Sequence, residues 1–323
     1  MKKRGATMGI INKEEFFYGS LKKTDYFERW HVYLVDASKQ HMLSIVLGVL
    51  LQGKEKYAFI QIGSNIPHLN RIVKYPIEAF SYTSDSITIE NNVLSRDFIQ
   101  LDLDEGKFQL NGKIIFSQGK QLETKFWRPG LMGPIKWLPF LNSYHEVLSL
   151  THIIMGEINF NNKEISFDEG RGALDKDWGK SFPNVWLWMQ CNHFQKHDAA
   201  MMVGVARMPI FLNYYTAFAM PFYFNDKTEI YANYTGAHIA KLYRYKGYIH
   251  LIITEKSKVI DLKVFGKEDV PLIASPMGHL IRDVYECIDS KIEVKVTQGG
   301  RTVFEDIGEC AHLKIGGNTS KLK

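Results

Sequence analysis

Residues 170–194 read GRGALDKDWGKSFPNVWLWMQCNHF, and this stretch is the most informative part of the chain. Its second half predicts a strand with two different faces, since successive strand side chains point to opposite sides. One face presents two indoles followed by two amides, from Trp186, Trp188, Gln190 and Asn192. Buried amides need partners, and an unpaired one costs about 1–3 kcal/mol. The pattern therefore predicts a cavity that is apolar at one end and polar at the other.

The first half of this stretch concentrates charge. Arg171, Asp175 and Asp177 share one strand parity, with about 6.6–7 Å between neighbours on a face. The two aspartates can therefore form a coupled pair, with Arg171 holding one of them charged. Trp178 and Lys180 face the opposite way. A purely structural interpretation also stays open, in which these residues only close the end of a barrel.

Short β-rich segments separated by turn residues make up most of the chain. One set precedes residue 165 and contains Asn111-Gly112, the sharpest hairpin signal in the sequence. A second set fills the remainder. We therefore predict a mostly β protein with two antiparallel domains, residues 1–165 and 166–323. Helical patterns are scarce, and residues 278–287 are the best candidate for a helix.

Residues 126–140 read FWRPGLMGPIKWLPF and separate the two sets of strands. Three prolines and two glycines exclude a regular helix or a central strand here. Two interpretations follow, a buried crossover that packs against the sheets or an apolar lip over a pocket.

The composition is that of an ordered globular protein, with 45% hydrophobic and 23% charged residues. Net charge is +5 without a dense basic stripe, so nucleic acid is not an expected partner. Cys191, Cys287 and Cys310 give neither a disulfide framework nor a zinc spacing, which favours a reducing compartment. The longest apolar run, residues 42–51, is about half of what a membrane-spanning helix needs. We expect a cytoplasmic protein with no metal and no cofactor. Peripheral membrane contact and the oligomeric state stay open.

Motifs spread over most of the chain resemble those of the tocopherol cyclase family. They are YFERW at 26–30, WLPF at 137–140, YHEV at 144–147, GRG at 170–172, KDWGKSFP at 176–183, QCNHF at 190–194, YTGA at 234–237 and PMG at 276–278. The resemblance implies a pair of lipocalin-like (calycin-like) β-barrels or sandwiches. Small barrels of this kind commonly hold one apolar ligand.

The chain departs from the family pattern near its N-terminal tryptophan. The family usually has a small residue where Arg29 stands, and an aromatic–lysine pair is expected where this sequence reads His31-Val32-Tyr33. These departures predict a differently shaped pocket mouth, which affects the substrate more than the fold.

The resemblance also implies an activity. The plant enzymes of the family close a chromanol ring by adding a phenol O–H across a prenyl double bond. This non-redox step needs a proton donor, a dry cavity for the isoprenoid and π-faces for a carbocation. A carboxyl can be that donor if burial or a second carboxylate raises its pKa. We expect Asp177 or Asp175 in this role, with His145 and His193 as alternative proton shuttles.

The predicted ligand-binding residues are the aromatic, amide and basic side chains of these motifs. They are Arg171, Trp178, Lys180, Trp186, Trp188, Gln190, Asn192, Tyr144 and Trp30. For each of them a structural role is the alternative. Two other functions stay open, a non-catalytic lipocalin-like carrier of a hydrophobic small molecule and a carbohydrate-binding or scaffold module with tryptophans exposed on a platform.

Overall fold

The computed structural model describes residues 16–65, 67–125, 128–138, 141–210, 213–266, 273–274 and 283–322. These residues form two antiparallel, barrel-like sheets, and no α-helix occurs among them. The predicted mostly β fold class is therefore confirmed. The helix predicted over residues 278–287 is wrong in its described part, because residues 283–287 belong to a strand.

The first sheet has twelve strands. They are β1 Asp25–Val35, β2 Met42–Gln52, β3 Glu55–Asn65, β4 His68–Pro76, β5 Phe80–Tyr82, β6 Ser86–Ile89, β7 Asn92–Ser95, β8 Phe98–Asp104, β9 Gln109–Lys120, β10 Ser143–Phe160, β11 Lys163–Ser166 and β12 Gly170–Gly179. Their order is β4-β3-β2-β1-β12-β10-β9-β8-β7-β6-β5, with β11 paired to β10.

The second sheet has eleven strands. They are β13 Trp186–Cys191, β14 His193–Phe194, β15 Ala199–Ile210, β16 Asn213–Phe224, β17 Lys227–Ala232, β18 His238–Tyr245, β19 Tyr248–Glu255, β20 Lys258–Phe265, β21 Ile273–Ala274, β22 Asp283–Gln298 and β23 Arg301–Gly316. Their order is β17-β16-β15-β13-β23-β22-β20-β19-β18, with β14 paired to β23 and β21 to β22. Short 3-10 turns cover Ile77–Ala79, Gly133–Trp137, Asn233–Thr235 and Thr319–Leu322.

Strand β12 inserts between β1 and β10 and completes the first sheet. The change of sheet therefore falls between Gly179 and Trp186, later than the boundary predicted after residue 165. The acid-rich motif and the tryptophan strand that follows it thus belong to different sheets. Among the described residues no helix has the length and hydropathy of a membrane span.

Alternation along the strands divides each sheet into a core face and an outer face. On β1, Trp30, Val32 and Leu34 enter the first core. On β13, Leu187 and Met189 enter the second core. The two outer faces pack against each other through a third apolar cluster with members from both sheets, including Tyr33, Val147, Trp188, Met202 and Tyr223. The site lies in this seam between the sheets.

The first core also contains a buried ion pair. Glu28 on β1 and Lys176 on β12 are both fully buried and in contact. The Lys176 ammonium lies 5.3 Å from the ring centre of Trp30 and 5.1 Å from that of Trp178. The motif tryptophans of these two strands therefore surround a buried charge on the core side of the sheet.

Candidate functional site

A cavity of about 230 Å³ lies between the outer faces of the two sheets. It is therefore not inside one barrel, where the lipocalin-like resemblance suggested a ligand would bind. Its apolar wall comes from both sheets and from the segment that connects β9 to β10, and includes Leu131, Met132, Ile135, Leu138, Val205, Met208 and Phe218. Its polar wall comprises Arg29, His31, Tyr33, His145, Asp175, Asp177, Glu286 and Lys314. The predicted combination of apolar and polar walls is present.

Residues 131–138 form one side of the cavity and carry the 3-10 turn Gly133–Trp137. Glu146 on β10 accepts a hydrogen bond from the Leu131 amide at 2.9 Å and pairs with the Lys136 ammonium at 3.1 Å. The Tyr234 hydroxyl of the second sheet donates to the Leu131 carbonyl at 2.8 Å. The described part of the segment therefore contacts both sheets and lines the cavity, as the lip interpretation expects. It is only partly buried, so it is not the buried crossover of the other interpretation. Residues 126, 127, 139 and 140 lie outside the described part of the chain.

Asp177 is held as a carboxylate. It is 2% exposed, and the Arg29 guanidinium donates two hydrogen bonds to it, at 2.8 and 2.7 Å. The His31 Nε2 lies 3.1 Å from the same carboxyl. Burial alone would raise the pKa of Asp177, but the positive charge of Arg29 and the hydrogen bonds lower it far below its usual range. Asp177 is therefore a poor proton donor.

A charge network continues from this pair into the second sheet. The Lys314 ammonium donates to His31 Nδ1 at 3.3 Å and lies 3.3 Å from Glu286, which also accepts from His312 at 2.6 Å. Burial, with Lys314 nearby, lowers the pKa of His31 to about 3. His31 is thus neutral, and its Nε2 carries the hydrogen because its Nδ1 accepts one. Arg29 and Lys314 balance the charges of Asp177 and Glu286.

Asp175 has a very different environment. It is fully buried and lines the cavity. Neither carboxyl oxygen makes a hydrogen bond of ordinary length with the described residues, and the Tyr33 hydroxyl approaches it from a longer distance. Burial raises the pKa of Asp175 well above its usual range, and the Asp177 carboxylate raises it further, although Lys314 opposes both. The pKa values of two neighbouring aspartates on one face are therefore shifted in opposite directions, and burial favours the protonated form of Asp175. The structure favours Asp175 over Asp177 as an acid.

Three further side chains face the cavity beside Asp175. Burial lowers the pKa of His145 to about 4, and its ring centre lies 4.4 Å from that of Trp188. Within the described residues, His145 Nε2, the Tyr33 hydroxyl and Trp188 Nε1 make no hydrogen bond of ordinary length. Burial raises the pKa of Tyr33. Neutral polar groups without partners therefore cluster at this end of the cavity.

The structure places the predicted ligand-binding residues in different parts of the protein. Trp186, Trp188 and Tyr144 line the cavity. Trp178, Lys180 and Tyr144 line a second pocket, also of about 230 Å³, where strand β12 ends. There Trp178 stacks between Tyr18 and Tyr144, with ring centres 5.4 and 5.5 Å away. Trp30 is 1% exposed and packs in the first core. It is not among the described residues that line the cavity.

The remaining candidates lie elsewhere in the seam, outside the described lining of the cavity. Arg171 pairs with Asp198 at 2.7 Å, so the prediction that it holds one of the two aspartates charged is wrong, and Arg29 does so instead. Asn192 donates to the Gly172 carbonyl at 3.0 Å, and its own oxygen lies 2.8 Å from His193 Nδ1. Gln190 is 3% exposed.

The platform interpretation of the β13 tryptophans is wrong. Trp188 is 7% exposed and Trp186 is half-buried, so this strand has no exposed aromatic surface. In the described part of the chain no group of three or more His, Cys, Asp or Glu side chains is arranged to hold a metal ion.

Several polar cavity residues were absent from the candidates drawn from the sequence, and the charged or titratable ones that form the polar wall are Arg29, His31, Tyr33, Glu286 and Lys314. Arg29, His31 and Tyr33 had nevertheless been noted in the sequence for another reason. They are the positions where the chain departs from the family pattern, and their shared parity on β1 directs all three to the outer face.

Comparison with known proteins agrees with the resemblance seen in the sequence. Residues 129–228 match the family model described as tocopherol cyclase-like. A chloroplastic tocopherol cyclase from Zea mays is 27% identical over 77 residues, which are 24% of this chain and only 15% of the maize protein. The resemblance to this family is thus confirmed over the part of the chain that contains the connecting segment, β12 and β13.

Solved structures show a similar fold over nearly the whole chain. Kievitone hydratase from Nectria haematococca aligns with a TM-score of 0.57 and 10% identity, over 90% of this chain and 89% of that protein. CghA in complex with Sch210972 aligns with a TM-score of 0.59 and 11% identity, over 91% and 89%. At these identities the likeness shows the fold alone.

Proposed function

We propose that the chain is a tocopherol-cyclase-like enzyme that cyclises a prenylated, quinol-type substrate by general acid catalysis without redox chemistry. One observation carries the proposal: Asp175 is a fully buried carboxyl with a raised pKa and no hydrogen bond of ordinary length to the described residues, in a largely apolar cavity. A neutral carboxylic acid near pH 7 is what the protonation of an alkene requires. The match to the family model supports the choice of reaction.

The proposed step adds a hydroxyl across a double bond. Asp175 gives its proton to the less substituted alkene carbon, and a tertiary cation forms at the other carbon. The substrate hydroxyl oxygen then bonds to that cation, and its proton returns to the Asp175 carboxylate, directly or through the neutral His145. Atoms and electrons balance, so the product is an isomer of the substrate.

The surroundings of Asp175 suit a cationic intermediate. Trp186 and Trp188 border the cavity, and an indole face stabilises a desolvated cation by about 2 kcal/mol or more. Asp175 itself becomes a carboxylate when it gives up its proton, and this new negative charge lies in the same buried cavity as the cation. The apolar wall from Leu131 to Leu138 excludes water that would otherwise trap the cation as an alcohol.

Reaction in deuterium oxide tests the proposal. The protein is incubated with hydroquinones that carry one isoprenoid chain next to a hydroxyl, over a series of chain lengths, and products are analysed by mass spectrometry and NMR. We expect a chromanol with one deuterium atom on the former alkene carbon, since the Asp175 proton exchanges with solvent. Heat-denatured protein is the control.

A non-catalytic carrier of a hydrophobic small molecule is the alternative. In that case the same hydroquinones would bind, as measured by calorimetry, but return unchanged and without deuterium at carbon. If none of them bound, a prenylated hydroquinone would be ruled out as the ligand for both functions.

A further inference from the structure

Four polar groups at the polar end of the cavity make no hydrogen bond of ordinary length with the described residues. One is His145 Nε2, and the other three are the Tyr33 hydroxyl, the Trp188 indole N–H and the Asp175 carboxyl. The residues of these three groups are 5%, 7% and 0% exposed, so bulk water does not compensate for the missing hydrogen bonds. Leaving one such group unsatisfied costs about 1–3 kcal/mol. Several in one cavity indicate that a ligand supplies the partner.

These three groups also lie close to one another. Tyr33 and Asp175 occupy neighbouring positions on the outer face of β1 and β12, since Asp175 pairs with His31 and Ala173 pairs with Tyr33. Tyr33 and Trp188 belong to the same apolar cluster between the sheets. A single small group of a ligand can therefore face all three.

The hydrogen-bonding character of the set is one-sided. An indole N–H only donates, a tyrosine hydroxyl donates readily, and a protonated carboxyl has one hydrogen to donate. The complementary group on a ligand is therefore an acceptor, an oxygen with two lone pairs.

The charge of the cavity excludes an ionic head group. Among the described lining residues, Arg29 and Lys314 are the cations, and both have anionic partners in Asp177 and Glu286. A carboxylate or ammonium group buried here would have no counterion, and burial of an unpaired charge is strongly unfavourable.

We propose that Tyr33, Trp188 and Asp175 form a head-group subsite for an uncharged oxygen acceptor, either a carbonyl or a hydroxyl oxygen. The apolar tail of the same ligand lies along residues 131–138 and the facing side chains of Met208 and Phe218. This subsite would hold the head group of the substrate in the proposed function. It depends on the proposed function only because both use the same cavity.

Ligands with one common tail test the subsite by calorimetry. The probes are farnesylacetone, farnesol, farnesoic acid, farnesylamine and the hydrocarbon farnesene, none of which contains the phenol that the proposed cyclisation needs. We expect the ketone to bind at least about tenfold more tightly than the hydrocarbon, the carboxylate and the amine. The alcohol arm shows whether a hydroxyl oxygen serves as well as a carbonyl oxygen. A carboxylate or an amine that bound as tightly as the ketone would overturn the proposal.

Two variants assign the effect to the subsite. Tyr33→Phe and Trp188→Phe each remove one donor, and each should weaken ketone binding about tenfold, or 1.4 kcal/mol, with little change for farnesene. Tyr245→Phe is the matched control, because it removes the same hydroxyl from a tyrosine that is 41% exposed on β18 and outside the described lining of the cavity. Equal losses for ketone and hydrocarbon would show a packing effect and contradict the subsite. Because the measurement is of binding and not of turnover, this result is independent of whether the protein is a cyclase.

Discussion

Asp175→Asn should reduce the turnover of a prenylated hydroquinone by about 10²- to 10⁴-fold, the range that a positioned general acid contributes. Asparagine has nearly the same shape as a protonated aspartic acid and still donates a hydrogen bond, but it has no acidic proton to give. Substrate affinity should therefore change little while the rate falls. Single-turnover kinetics with calorimetry on the same variant separate the two quantities.

Asp198→Asn is the matched control for this substitution. Asp198 is also an aspartate of the seam region, but it is largely exposed and pairs with Arg171 away from the described cavity lining. It should retain the parent rate. If Asp175→Asn turned over substrate as fast as the parent, Asp175 would not be the acid.

Arg29→Met should destabilise the fold by about 3–5 kcal/mol, the usual result of removing one partner of a buried ion pair. Arg29 is 6% exposed and gives Asp177 two charge-assisted hydrogen bonds. Its loss leaves a buried carboxylate whose remaining hydrogen-bond partner among the described residues is the neutral His31. Methionine keeps much of the side-chain volume. Urea denaturation at pH 7, followed by circular dichroism, measures the difference in free energy of unfolding.

Two controls distinguish the buried pair from a general loss of charge. The double variant Arg29→Met with Asp177→Asn should recover part of the stability, because it removes the uncompensated anion. Lys295→Met breaks an exposed pair with Glu305 on the second sheet and should cost less than about 1 kcal/mol. An Arg29→Met protein as stable as the parent would mean that Asp177 does not need this partner.

The strand pattern allowed the faces of the two central segments to be predicted. Asp175 and Asp177 share a face, as a period of two requires, and Lys176 and Trp178 enter the opposite, core face. This inference works because one residue along a strand reverses the side chain, whatever the tertiary structure.

The pairing of the two outer faces could not be predicted in the same way. Nothing local in the sequence shows that β12 inserts between β1 and β10, or that β13 of the other sheet packs over it. Without that arrangement, Arg171 seemed the natural partner of the aspartates because it is close in sequence. Arg29 is distant in sequence and directly opposite Asp177 in the β1–β12 register.

The opposite protonation states of the two aspartates also could not be predicted from the sequence. It depends on Arg29 and His31 reaching one carboxyl and not the other, which is a matter of cross-strand geometry. The departures from the family pattern at Arg29, His31 and Tyr33 did mark the right place, since all three line the cavity.

The central claim is that the buried Asp175 carboxyl stays protonated while Asp177 stays ionised. Infrared difference spectroscopy of the Asp175 carboxyl tests this claim most directly. Spectra of the parent and of Asp175→Asn are recorded at pH 7 and over a pH series. We predict a protonated-carboxyl C=O band in the parent at pH 7 that is missing in the variant and disappears only at higher pH, because burial raises the pKa of Asp175. A band already lost between pH 4 and 5 would show an ordinary, ionised aspartate and contradict the account.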